Sequence, residues 1–176
     1  VGSEMCIRDR LGRIRAAGMK HVVLGTSYRA EVFEEHFGDG SDLGLEIEYV
    51  FEAEPLGTGG GIRNVLDKLR YDTAMIFNGD VLGGTDLRAV LGTHAEKDAD
   101  VTMHLVRVPD PRAFGCVPTD EDGRVLEFLE KTQDPPTDQI NAGIYVFRRE
   151  IIESIPAGRP ISVERELSLI HISEPT

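Results

Sequence analysis

The sequence predicts an α/β fold with a mixed central sheet: a βαβ half, then a β-rich half added to the same sheet. Three observations predict it. Short apolar runs alternate with amphipathic helical segments as far as Val108, the grammar of a βαβ unit. Beyond Pro109 the helical spacing gives way to short strands around an Asp-Gly turn. Between these, the run Ala74 to Phe77 ends abruptly in Asn78-Gly79-Asp80. A buried strand there would deliver one carboxylate to its carboxyl end, where open α/β sheets place their ligands.

Taken in order, Leu11, Ile14, Arg15 and Ala17 before Gly18 read as a short helix with a glycine stop. His21 to Gly25 is a buried strand. Arg29 to Phe37 sets Val32, Phe33, His36 and Phe37 on one helical face, closed by Gly38. Leu45 to Phe51 alternates apolar and acidic residues, a strand with one polar face. Helical spacing returns at Ile62 to Leu69, after Pro55 and a glycine-rich stretch. The strand ending at Asp80 follows, then a helix at 87–97 and a strand at 101–108. Phe114 to Pro118 and Val125 to Leu129 flank Asp120-Glu-Asp-Gly123 as a hairpin, Thr132 to Gln139 is a polar loop, Ile140 to Phe147 is a strand and Arg149 to Ile155 a short helix.

Composition narrows the function classes. With 176 residues and 40% hydrophobic content the chain can bury one sizeable core. A net charge of −12 disfavours nucleic acid or an anionic membrane, either of which needs a basic face. Small anions remain open, since the local field decides their binding. No apolar run approaches the roughly 20 residues that cross a bilayer, so a soluble, cytoplasmic protein is the expectation. Residues 1–10 and 167–176 resemble translated sequencing-adapter sequence and are set aside as non-native tails, which leaves 11–166 as a partial domain incomplete at both ends. Cys116 is then the single native cysteine, in keeping with a reducing compartment.

Two stretches carry chemistry. In Glu52-Ala-Glu-Pro-Leu-Gly-Thr-Gly-Gly-Gly-Ile62, glycines at 57, 59, 60 and 61 stand between a strand and a helix. They are either a tight turn or a cradle whose backbone N–H groups meet a ligand at a helix N-terminus. Dinucleotide spacing fails, because a third glycine would have to stand at Ile62 or Asn64, and no Gly-x-x-x-x-Gly-Lys-[Ser/Thr] loop exists. Asp80 either makes a turn or holds a divalent cation against phosphate oxygens. His21, His36, His94 and His104 show no metal-ligand spacing. Arg63 and Arg107 either steer phosphate or sit as surface charges.

Pro55-Leu-Gly-Thr-Gly-Gly60 resembles the Pro-Leu-Gly-Thr-Ala-Gly segment of the sugar nucleotidyltransferases, enzymes that join a sugar 1-phosphate to a nucleoside triphosphate. The likeness continues in register. Asn78-Gly-Asp80-Val resembles that family's metal-binding segment, Phe114-Gly-Cys-Val its Phe-Gly-Val-Val, and Phe128-Leu-Glu-Lys131 its Phe-x-Glu-Lys. Asn141-Ala-Gly-Ile-Tyr145 resembles its Asn-Ala-Gly-x-Tyr, and Ser162-Val-Glu-Arg-Glu166 its Ser-x-Glu-[Arg/Lys]-Glu. Within the family the chain is most similar to the mannose-1-phosphate guanylyltransferases of actinobacteria.

The resemblance implies a Rossmann-like three-layer fold, GTP and mannose 1-phosphate as substrates, Mg²⁺ as cofactor and nucleotide-sugar synthesis as the activity, and it leaves room for a homo-oligomer. It implies that Asp80 is the metal ligand and, with Lys131, catalytic, Lys131 contacting the reacting phosphate. Glu52, Pro55, Leu56, Gly57, Thr58, Gly59 and Gly60 would receive the nucleotide, with Glu52 either accepting from a base N–H edge or capping a strand end. Gly115, Glu130, Lys131, Asn141 and Gly143 would line the sugar phosphate. On the residues alone, Lys131 reads equally as a solvated lysine and Gly143 as a strand bulge. The family's Gly-x-Gly-Thr-Arg-Leu loop and second metal Asp have no counterpart in these residues, so the chain alone is expected to turn over little. The alternative is a non-catalytic sugar-nucleotide-binding regulatory subunit of the same fold. A glycosyltransferase would be expected to carry Asp-x-Asp after the strand, where Val81 and Leu82 stand instead.

Overall fold

A computed structural model of the chain describes residues 2–26, 30–79 and 84–170, with side chains described between residues 6 and 166. The elements are α1 (Gly2–Ala16), β1 (His21–Thr26), α2 (Ala30–Phe37), β2 (Glu46–Phe51), α3 (Gly57–Asn64), β3 (Thr73–Phe77), α4 (Leu87–Glu96), β4 (Val101–Arg107), β5 (Gln139–Arg148), α5 (Arg149–Ser154) and α6 (Val163–Ile170). Short 3-10 turns lie at Ser41–Leu43, Leu66–Lys68 and Pro111–Ala113. No described helix is long and apolar enough to cross a membrane.

The strands form two sheets among the described residues. β1 and β2 pair in parallel, whereas β5 lies between β3 and β4 and runs antiparallel to both. The mixed character expected from sequence is therefore divided between a parallel pair and an antiparallel triplet. β5 is the axis of the larger sheet, and its Tyr145, Val146 and Phe147 are fully buried. Alternation along it makes three layers. Tyr145 and Phe147 face Ile62 of α3, Ile151 and Ile152 of α5, and Ile155, Ile161 and Val163. Ile144 faces Ile14 of α1 and Leu87 of α4 on the other side. Leu11 of α1 also packs against Phe37, Leu45 and Ile47, so α1 spans the faces of both sheets.

Local chemistry explains the element ends. Gly18 takes φ 93°, its N–H donates to Arg15 O, and Met19 N–H donates to Ile14 O, the paired bonds of a Schellman stop. Asp86 caps α4 by accepting from the N–H groups of Arg88 and Ala89. The acidic face of β2 is held by basic side chains: Arg70 bonds both oxygens of Glu46 and one of Glu48, and Glu48 also meets the His21 ring and Lys68.

Four expectations need correction. The first helix begins at Gly2 rather than near Leu11, while its end at Ala16 keeps the expected stop at Gly18. The glycine-rich stretch is itself the first turn of α3, and Leu66–Lys68 is a 3-10 turn rather than a continuation of that helix. Glycine disfavours helix by about 1 kcal/mol per residue relative to alanine, and packing against the segment near Ile161 overrides that propensity. The 114–129 hairpin is reduced to isolated bridges, Cys116 with Leu129 and Thr119 with Val125, because Pro118 has no N–H for the ladder. Finally, α6 was not anticipated at all.

Candidate functional site

β3 covers only part of one edge of β5, from Ile144 to Arg148. Farther along the same strand, Cys116 bridges Ile140, and Val117 N–H donates to Gln139 O. Asn141 to Gly143 lie between these two partners, at the carboxyl end of β3. Asn78 N–H donates to Gly143 O (2.9 Å), so the chain leaving β3 is pinned to β5. Gly79 next to it is exposed. Asp80 lies outside the described residues. Arg10 donates to Gly79 O at 3.0 Å, which places a guanidinium beside this strand end.

The residues that the resemblance assigns to the nucleotide form the entrance to α3. Leu56 is its N-cap, and its N–H donates to Glu52 Oε2 (3.3 Å), so this carboxylate caps the turn from β2 into α3. Pro55 is exposed. Gly57 takes φ 68°, and a Cβ there would lie 2.6 Å from Ile161 O. On Gly60 a Cβ would meet Arg159 O at 2.8 Å. These glycines therefore serve the close approach of residues 159–161. Gly59 N–H donates to Ile161 O at 2.8 Å and Gly60 N–H to the same oxygen at 3.4 Å. Two of the backbone donors that a helix start leaves open are thus satisfied within the protein.

Among the residues that the resemblance assigns to the sugar phosphate, Gly143 is buried with φ 75°, the irregularity that a strand glycine signals. Its N–H donates to Asn141 Oδ1 (2.8 Å). Asn141 Nδ2 donates to the Tyr145 hydroxyl and to Glu164 Oε1, the latter at 3.3 Å. Both amide donors of Asn141 are thereby used, leaving one lone pair on Oδ1 for a ligand. Burial raises the Tyr145 phenol above its ordinary range, opposed by the Asn141 hydrogen bond, so the hydroxyl stays protonated and donates to Glu164 Oε1 at 2.9 Å. Gly115 packs under Leu129, where a Cβ would sit 2.7 Å from the Leu129 carbonyl. Glu130 is exposed and pairs with Arg165 (3.0 Å), and Lys131 is exposed without an ion pair among the described residues. Arg63 and Arg107 are engaged structurally, Arg63 with Ile155 O at 3.1 Å and Arg107 with Asp138.

One short segment draws these pieces together. Ile161 N–H donates to Leu56 O, and Val163 N–H donates to Thr58 Oγ1 (3.0 Å). Ser162 donates to Glu164 Oε2 (2.9 Å), Glu164 holds Asn141 and Tyr145, and Arg165 holds Glu130. Sequence reading singled out Ser162-Val-Glu-Arg-Glu166 and the tyrosine of Asn141-Ala-Gly-Ile-Tyr145 as motif matches without giving them a role. Those matches were the available signal.

An α/β/α layering with a helix start at the end of a sheet strand is the arrangement in which open α/β sheets hold their ligands. The chain belongs to the nucleotidyl transferase family, whose model matches residues 2–167. It is 69% identical over 157 residues to the mannose-1-phosphate guanylyltransferase of Mycobacterium tuberculosis, covering 89% of this chain and 44% of that protein. It is 35% identical over 149 residues to the D-glycero-alpha-D-manno-heptose 1-phosphate guanylyltransferase of Aneurinibacillus thermoaerophilus, covering 85% of this chain and 64% of that one. The crystal structure of HddC from Yersinia pseudotuberculosis complexed with GMP-PN matches with a TM-score of 0.77 at 26% identity, over 97% of this chain and 72% of that one. The chain therefore spans less than half the length of its mycobacterial relative.

Proposed function

We propose that the whole protein transfers a guanylyl group from GTP to mannose 1-phosphate, giving the nucleotide sugar and pyrophosphate. The observation that carries this reading is the convergence around residues 161–165. That segment ties the Gly57–Gly60 turn to Asn141, Tyr145 and Glu130, so the nucleotide-side and sugar-side groups share one anchor. The similarity to two sugar-1-phosphate guanylyltransferases supports the choice of substrates.

In the reaction an oxygen of the sugar phosphate attacks the α-phosphorus of GTP. A P–O bond forms to the sugar phosphate as the bond to the β-phosphate bridge breaks, and pyrophosphate departs with that electron pair. Positioning and charge neutralisation are the protein's main contributions. Lys131, exposed and without an ion pair among the described residues, meets the reacting phosphate as a point charge. Glu130 exchanges Arg165 for a sugar hydroxyl, a small cost because exposed ion pairs contribute little. Gly57 and Thr58 at the start of α3 receive the nucleotide, and Gly143 gives the sugar backbone clearance.

The cofactor is a divalent cation, taken here as Mg²⁺, with Asp80 as its protein ligand. When bound it neutralises charge on the phosphate oxygens. Among the described residues no group of three or more His, Cys, Asp or Glu side chains could hold a metal. A single protein carboxylate still fits Mg²⁺, which takes most of its ligands from water and substrate phosphates. The exposed Gly79 just before Asp80 is consistent with that donor set.

The test is pyrophosphate release by the whole protein from GTP with and without mannose 1-phosphate, in Mg²⁺. Release that depends on the sugar phosphate is the expected result. Tight binding of the nucleotide sugar with no release would instead identify a regulatory subunit of the same fold.

A further inference from the structure

We propose that Glu164 is a positioning residue that sets the sugar-side geometry by locking Asn141 onto Gly143; its bearing on sugar phosphate rests on the function proposed above. Glu164 stands in the first turn of α6, and its two oxygens take three donors. Oε1 accepts from the fully buried Tyr145 hydroxyl at 2.9 Å and from Asn141 Nδ2 at 3.3 Å, and Oε2 accepts from Ser162 Oγ at 2.9 Å. With its amide N held by Tyr145 and Glu164, Asn141 can turn only its Oδ1 toward the backbone. There it accepts the Gly143 N–H at 2.8 Å.

That bond has a structural consequence. Gly143 has φ 75°, a conformation that regular strand pairing does not supply, and its N–H is satisfied by a side chain two residues away. The Gly143 carbonyl in turn accepts from Asn78 N–H, the residue through which β3 leads toward Asp80. A continuous series of hydrogen bonds therefore runs from Glu164 through Asn141 and Gly143 to the end of β3. Among the described residues, Glu164 reaches the proposed reacting groups through this series.

The backbone of the same segment holds the nucleotide side independently. Val163 N–H donates to Thr58 Oγ1 and Ile161 O accepts from Gly59, and neither bond involves the Glu164 side chain. Removing that side chain should thus loosen the sugar side and spare the nucleotide side. A glutamine at 164 can still accept from Tyr145 and Asn141 through its carbonyl oxygen, and its amide can donate to Ser162 Oγ.

Two measurements test this. The first is amide hydrogen exchange of the 176-residue chain without substrate. In Glu164→Ala, exchange at Gly143 should accelerate about tenfold or more, the effect of losing one anchoring hydrogen bond, while Val146 and Phe147 in the buried part of β5 keep their wild-type protection. Glu164→Gln should restore Gly143. The second is the kinetics of the whole protein: Glu164→Ala should raise KM for mannose 1-phosphate about tenfold and leave KM for GTP within about twofold, with Glu164→Gln recovering most of the loss. Unchanged Gly143 exchange in Glu164→Ala overturns the proposal, whatever the kinetics. Equal rises in both KM values overturn the sugar-side role. If Gly143 responds as expected but the wild type shows no sugar-phosphate-dependent turnover, the positioning role of Glu164 is upheld and the proposed function fails.

Discussion

Adding one methyl group at Gly57 should destabilise the chain by more than almost any other single-carbon change. Gly57 takes φ 68°, a region that costs a residue with a side chain about 1–3 kcal/mol. The new Cβ would also lie 2.6 Å from Ile161 O and 3.2 Å from its carbonyl carbon, both backbone atoms that cannot swing aside like a side-chain tip. Relieving that overlap means moving the 159–161 segment off the start of α3, an overpacking cost of about 1–3 kcal/mol. Gly57→Ala is therefore expected to lose about 2–6 kcal/mol in urea unfolding. Gly60→Ala has the contact without the positive φ, with its Cβ 2.8 Å from Arg159 O, and should lose about 1–3 kcal/mol. Gly92 in α4 has nothing within 4 Å of a built Cβ, so Gly92→Ala should gain about 0.5–1 kcal/mol from helix propensity. The order Gly92, Gly60, Gly57 by increasing loss is the prediction. A Gly57→Ala protein no less stable than Gly92→Ala would refute the account of the glycine-rich turn.

Ile152 is fully buried against Tyr145 and Phe147, so Ile152→Ala should lower unfolding stability by about 2–5 kcal/mol in the same urea assay. Burial lowers the imidazoles of His94 and His104 below their ordinary 6.5; at His94, Arg148 adds to this while Asp100 and Asp98 oppose it. Because the folded values lie below the unfolded one, the stability these residues contribute is present above about pH 6.5 and is lost as pH falls through their folded values. The urea midpoint should hold from pH 8 to 7 and decline below about 6.5, and His94→Asn with His104→Gln should flatten that decline. In the whole protein, Asp80→Asn should abolish Mg²⁺-dependent pyrophosphate release while the urea midpoint stays near wild type; release kept at the wild-type Mg²⁺ dependence would remove Asp80 from the metal site.

The sequence by itself determined the positions of the five strands and of α2, α4 and α5, because those depend on local periodicity and on punctuation such as Gly18, Gly38 and Pro109. It also placed most of the candidate site residues in motifs, since Gly57, Glu130 and Asn141 each sit in a short ordered pattern. Partnership was decided only by the tertiary structure. Alternating apolar residues give 140–147 a buried face but do not say which strands flank it, and the insertion of β5 between β3 and β4 follows from long-range backbone pairing. The glycine-rich stretch reads as a loop because glycine is a poor helix former; contact with Ile161, far along the chain, makes it a helical turn. Asn78-Gly79-Asp80 looks like the centre of the chain when read in one dimension. In three dimensions Asn78 hangs from Gly143, and the Glu164 carboxylate holds Gly143 through Asn141, a relation that no local pattern encodes.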